Sequence, residues 1–175
     1  RAGHVGGGVG TQVGDGRSDL SRRADPAEWD GFAEGGHPAF AGSGEQRLSG
    51  SGNVVFGGGD SEGIYQWVQS TEGTLIVESG ITIRNSDGRG RLGNASRPLM
   101  VQVTVSAQGG RSLQVTGSSV TNQGLLAANG GTLDVNHLAG NLGRTLISGT
   151  ATLDLDGVYA INEPVAVPAG CHLYL

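Results

Sequence analysis

Four segments recur at one constant interval along the chain: SLQVTG (112–117), TLDVNH (132–137), TLDLDG (152–157) and HLYL (172–175). Set as columns, Leu113, Leu133, Leu153 and Leu173 coincide, and so do Val115, Val135, Leu155 and Leu175. The intervening positions are polar or amphipathic, with Ser112, Thr132, Thr152 and His172 in one column and Gln114, Asp134, Asp154 and Tyr174 in the next. Side chains alternate between the two faces of a strand, so the leucine and valine columns share one face and the polar columns the other. A second strand per repeat is expected upstream, where Val105, Leu125 and Val165 align, as do Ala107, Ala127, Ile147 and Val167, with Thr145 as a fault. Gly110, Gly130 and Gly170 keep step just before the main strand.

A repeat this short cannot close a core within one copy. Stacking resolves this: each copy becomes a coil, like strands pair from coil to coil about 4.8 Å apart, and the leucine columns merge into one apolar interior. The predicted fold is therefore all-β, a parallel β-helix of about 20 residues per coil. An antiparallel sandwich also shows short strands at regular spacing, but it gives no reason for the columns to persist at a single interval. Further upstream the pattern loosens. NVVF (53–56) and TLIV (74–77) keep nearly the same interval, and the span from Leu75 to Leu113 holds close to two coils with an insertion around SDGRGRLGNASR (86–97). Residues 46–175 then amount to about six coils, or about 30 Å of solenoid by the strand spacing.

Composition agrees. The chain has 34 glycines among 175 residues, against about 7% in average usage, which means frequent turns. The Val, Leu, Ile and Thr residues cluster in short runs that favour strands. Segment 1–37, with GGGVG (6–10), GDGRSDLSRRADP (14–26) and AEGG (33–36), spaces its apolar residues too sparsely for a buried face. It is expected to be a poorly ordered leader, with one helical turn at most, at DPAEWDGFAE (25–34), and the β-helix is expected over 38–175. The arginine start and the apolar HLYL ending suggest a fragment of a longer chain.

The net charge of −5, with 11 basic residues against 16 acidic ones, argues against nucleic acid as a partner. One cysteine, Cys171, excludes an intrachain disulfide framework and a cysteine-based zinc site. No apolar run approaches the roughly 18–20 residues that span a bilayer as a helix, so membrane insertion is not expected.

LSGSGNVVFGG (48–58), GTLIVESGITIRN (73–85), VTNQGLLAANGGTLDV (120–135) and VAVPAGCHLYL (165–175) resemble the repeats of very large secreted bacterial β-helical proteins. These are the filamentous-haemagglutinin-like and autotransporter-passenger solenoids. The resemblance covers about 40–175 and implies a right-handed parallel β-helix, export to the cell surface or medium, and a role as stalk, adhesin or surface matrix. It implies surface glycans or other cell-surface components as partners, together with flanking coils of a longer chain. It carries no catalytic residue and no cofactor.

Several residues invite a chemical reading. Asp134 and Asp154 are expected on adjacent coils of one outer face, about 5 Å apart, close to the carboxylate separation of a retaining glycosidase. They are the acid/base pair of the alternative to a non-enzymatic solenoid, a polysaccharide hydrolase or lyase of the pectin-degrading β-helix type. NSDG (85–88) only faintly echoes that family's acidic cleft, and no Asp-Asp, Gly-His-Gly or Arg-x-Lys segment is present. Asp134 and His137 are spaced like half a metal site, but the column Gly117, His137, Gly157 marks a turn, and His4, His37 and His172 are too scattered to complete a site. No metal ligand is therefore assigned. GGGVG and the glycines of 8–16 lack the P-loop pattern, and GGGDSEGIY (57–65) shares only its glycines with calcium-binding nonapeptides. Asn94-Ala95-Ser96 has the form of a glycosylation sequon, while Tyr65 and Trp67 are either core packing or a sugar-stacking platform. Cys171 has the inward parity of Leu173.

Overall fold

A computed structural model describes residues 17–19, 39–57 and 65–175, the first of these as backbone only. The described chain is all-β, with parallel strands stacked into a β-solenoid whose coils lie about 21 residues apart. Each complete coil presents three strands at the edges of a triangle. The first face stacks β2 (Ala39–Phe40), β5 (Tyr65–Ser70), β8 (Arg89–Leu92), the leading halves of β11 (Ser112–Asn122), β13 (Thr132–Asn141) and β15 (Thr152–Ala160), and β16 (His172–Tyr174). The second stacks β1 (Arg17–Asp19), β3 (Gln46–Ser49), β6 (Leu75–Val77), β9 (Leu99–Val101) and the trailing halves of the same three long strands. The third is a five-stranded sheet of β4 (Gly52–Phe56), β7 (Ile81–Asn85), β10 (Thr104–Ala107), β12 (Leu125–Asn129) and β14 (Arg144–Ser148). Those five strands define five three-sided coils; β15 and β16 begin further coils that lack a strand on the third face.

The interior is built from the columns read in the sequence as far as Leu155, whereas Leu173 is half-buried and Leu175 exposed. Leu113, Leu133 and Leu153 pair in register and are fully buried, as are Val115, Val135 and Leu155. The second face contributes Leu75, Leu99, Val120 and Leu138, and the third Val54, Ile83, Val105 and Leu126. One coil alone would leave both flanks of these side chains wet. Stacking removes them from water, at roughly 1.5–3 kcal/mol per large apolar side chain fully buried.

Polar groups are admitted where a corner needs them. Asn122 is buried, its Nδ2 donating to Leu142 O of the next coil at 2.6 Å while its Oδ1 accepts from Gly124 N at 3.0 Å. Asn85 serves another corner, its Oδ1 accepting from Gln108 N at 2.6 Å. Each side chain satisfies backbone groups that the turning chain leaves outside the ladders.

Several upstream expectations are corrected. The third-face column is displaced by one position: Val105 pairs with Leu126 rather than Leu125, and Ala107 with Ala128 rather than Ala127, while Ile147 pairs with Ala128 and Thr145 with Leu126. NVVF and TLIV are not equivalent, because Asn53 pairs with Thr82 on the third face and Leu75 with Gln46 on the second. The segment 86–97 is no simple insertion, since it contains β8, a rung of the first face. The extra length falls earlier: residues 57–64 join β4 to β5, whereas 86–88 suffice between β7 and β8. Val165 is half-buried against the core and Val167 is exposed, and neither lies in a strand. Pro164 and Pro168 flank them, and proline has no N–H to give to a ladder.

The corner between the first and second faces tightens along the axis. Thr116 and Val120 bracket Gly117, Ser118 and Ser119 in β11, while their partners Asn136 and Leu138 bracket only His137. In the next coil Leu138 pairs with Gly157, so the column Gly117, His137, Gly157 is also displaced. His137 turns this shortened corner alone, with φ 60°, a left-handed conformation uncommon outside glycine but among the better tolerated for histidine.

Of the leader, Arg17–Asp19 pair in parallel with Arg47–Ser49. The helical turn expected at 25–34, the glycine runs at 6–16, His4 and His37 lie outside the described residues, as do 58–64 of the nonapeptide-like segment.

Candidate functional site: the outer wall of the first face

The outward residues of the first face form one unbroken column. Trp67 pairs with Arg91, Arg91 with Gln114, Gln114 with Asp134, Asp134 with Asp154, and Asp154 with Tyr174. Beside it runs Tyr65, Arg89, Ser112, Thr132, Thr152 and His172, the pairs being direct except for the step from Arg89 to Ser112, which follows from the register of Gly90 with Leu113. Period-two alternation drives one set of side chains into the leucine interior, so the other set must stand on the wall.

Asp134 and Asp154 therefore occupy adjacent rungs, as the sequence predicted. Their surroundings differ. Asp134 is half-buried and accepts hydrogen bonds from Gln114 Nε2 at 3.2 Å and Asn136 Nδ2 at 2.8 Å. Its pKa is raised, chiefly because burial disfavours the carboxylate and further by repulsion from Asp154 and Asp156; the two amide hydrogen bonds oppose the shift. Asp154 and Asp156 are exposed. Tyr159 has a raised pKa too, first from burial and then from Asp156 and Asp154. Two adjacent acids with unlike environments are a suitable start for acid/base chemistry. Among the described residues no group of three His, Cys, Asp or Glu side chains is placed to hold a metal ion.

A pocket of about 210 Å³ lies away from this column, on the third face, between Arg144, Thr145 and Leu146 of β14 and Glu163 and Pro164.

The aromatic residues mark the two ends of the wall. The Arg91 guanidinium lies over the Trp67 ring at 5.4 Å, and its Nε is buried without a hydrogen-bond partner. His172 and Tyr174 stack with centroids 6.3 Å apart and ring planes at 13°. Tyr65 and Trp67 belong to this outer wall and are half-exposed, while Val68 of the same strand is buried. Arg89 and Arg91 were hidden from sequence reasoning because their rungs are spaced unevenly: the steps from Trp67 to Arg91 and from Arg91 to Gln114 are each longer than the step from Gln114 to Asp134. The available signal was the alternation in RGRL, where outward arginines interleave with Gly90 and the buried Leu92.

The other candidates are dispersed. His137 stands exposed at its corner. Cys171 packs half-buried against the core, its Sγ 3.8 Å from Gly149 O. Asn94 uses its side chain locally, Nδ2 donating to Ser70 O at 3.3 Å and Oδ1 accepting from Ser96 N at 3.0 Å. Among the described residues, no helix is long and apolar enough to cross a membrane. No protein-family model matches the chain, nor does any curated protein or solved structure.

Proposed function

We propose that the chain is a non-enzymatic segment of a secreted or cell-surface bacterial β-solenoid, of filamentous-haemagglutinin-like or autotransporter-passenger type. Its role is that of a structural spacer or adhesive surface. The supporting observation is the outer column from Trp67 to Tyr174, which continues from coil to coil in register. Such a wall suits extended contact with surface glycans or other cell-surface components, and the coil stack suits continuation into flanking coils. Export follows from the same reading.

One observation favours a second reading. The raised pKa of Asp134 and its place on the rung next to Asp154 resemble the paired acids of retaining glycosidases, which act at a carboxylate separation of about 5–5.5 Å, and support a polysaccharide hydrolase or lyase. A polysaccharide-degradation screen run beside a glycan array on the full chain separates the two. The spacer reading expects no depolymerisation by the wild-type chain or by Asp134→Asn/Asp154→Asn. Cleavage that disappears in that double variant would establish the enzyme instead. Antibody labelling of intact source cells and their medium tests export, and a signal confined to lysed cells contradicts it.

A further inference from the structure

The outer column of the first face has a polarity that the spacer reading does not require. In order it reads aromatic (Trp67), cation (Arg91), amide (Gln114), acid (Asp134), acid (Asp154), aromatic (Tyr174). The negative end is reinforced by Asp156, next but one to Asp154 in the chain and exposed like it. No arginine neighbours Asp154 in its own column, where Asp134 and Tyr174 flank it, and no acid neighbours Arg91, flanked by Trp67 and Gln114. The wall is thus a row of charges separated along the solenoid axis, uncompensated within the row.

Reversing the order of the column shows what would compensate it. Laid antiparallel on a second copy, Trp67 faces Tyr174, Arg91 faces Asp154 and Gln114 faces Asp134. The adjacent column behaves consistently, setting Tyr65 against His172, Arg89 against Thr152 and Ser112 against Thr132. Parallel alignment would set Arg91 on Arg91 and each acid on its own copy, which like-charge repulsion opposes. Two sheets packed face to face sit about 10 Å apart, a gap that side chains from both walls fill.

We infer that the first face is a self-association surface, on which a second copy of this chain docks antiparallel with Arg91 of each copy paired to Asp154 of the other. The symmetry is isologous, since one patch serves both partners. Six rungs at about 4.8 Å and strands of about five residues give a patch of roughly 24 by 17 Å, hence about 800 Å² buried over both copies, at the weak end of protein interfaces. The contact therefore favours chains already held side by side on a surface, and its strength depends on salt.

Sedimentation equilibrium of the full chain, from micromolar to about millimolar concentration, tests this. At low salt the weight-average mass is expected to climb from the monomer value of 17.7 kDa toward twice that, and to return to monomer in about 0.5 M salt. Arg91→Glu alone and Asp154→Arg alone are each expected to stay monomeric. An equimolar mixture of those two variants is expected to recover dimer, because both cross-copy pairs in the mixed dimer are again of opposite charge. That recovery also shows that both variants are folded. A wild-type chain monomeric throughout, association that strengthens with salt, or a mixture that remains monomeric would each overturn the inference.

Discussion

The later coils, from residue 112 onward, and the earlier ones, from 39 to 101, solve the same packing problem differently. In the later coils the first-face rungs repeat at a constant interval and use the same residue at the same depth: Leu113, Leu133 and Leu153. In the earlier coils the second face steps from Arg47 to Ile76 and then to Met100, two unequal strides that are both longer than the later ones. There the interior is filled by complementary sizes. Phe56 of the third face is fully buried and fills the space beside Gly90, an inward position on the first face in register with Leu113; a Cβ on Gly90 would overlap the Phe56 ring. What a solenoid must conserve is the filled cross-section and the rung-to-rung ladder. Coil length and residue identity are free to vary once neighbours compensate.

If this contrast is right, the early core should be sensitive in a pairwise way. Phe56→Ala is expected to cost about 3–5 kcal/mol in denaturant unfolding. Gly90→Ala should cost about 1–3 kcal/mol by overpacking. The second loss should shrink in a Phe56→Leu background, a non-additivity that a double-mutant cycle would measure. Strict additivity would break the size-compensation account. In the late core no such partner exists, so Leu133→Ala should cost about 2–5 kcal/mol irrespective of substitutions at Phe56.

The corners provide smaller effects. Asn122→Ala strands Leu142 O and Gly124 N, and is expected to cost about 1–3 kcal/mol. Amide hydrogen exchange should quicken at Gly124 as a direct sign of the lost bond. His137→Gly relieves the left-handed strain at its shortened corner and is expected to stabilise by up to about 1 kcal/mol.

The smallest effect concerns pH. Because the folded pKa of Asp134 is raised, mainly by burial, the folded state holds this proton more tightly than the unfolded chain does. Stability from this group is therefore greatest below the unfolded pKa and is lost as pH rises through the raised folded value. Asp134→Asn should unfold at a slightly higher denaturant concentration than wild type at neutral pH, with the difference shrinking on acidification. A difference that grows toward acid pH would contradict the burial argument.

The fold was legible because the late coils keep their first-face length while burying like residues, so the columns of Leu113 and Val115 survive as a period in the chain. The third face was misplaced by one position because its step from Val105 to Leu126 is longer than the first-face interval and its step from Leu126 to Thr145 is shorter, a change that only pairing partners reveal. In the early coils the interior positions are Gln46 and Leu75 on one face and Val68 and Leu92 on another, at unequal spacings, which leaves no single column to follow. The outer acids Asp134 and Asp154 were legible for the same reason as the leucines beside them. Trp67 and Arg91 were not placed on the same column because their coils differ in length.

Backbone nuclear Overhauser contacts in solution report parallel, in-register stacking rung by rung. Cross-strand amide-to-Hα contacts are expected to link the Leu113, Leu133 and Leu153 rungs, and likewise Leu99, Val120 and Leu138. Close Hα–Hα contacts between sequence-adjacent strands such as β12 and β13, the signature of antiparallel hairpins, would contradict it.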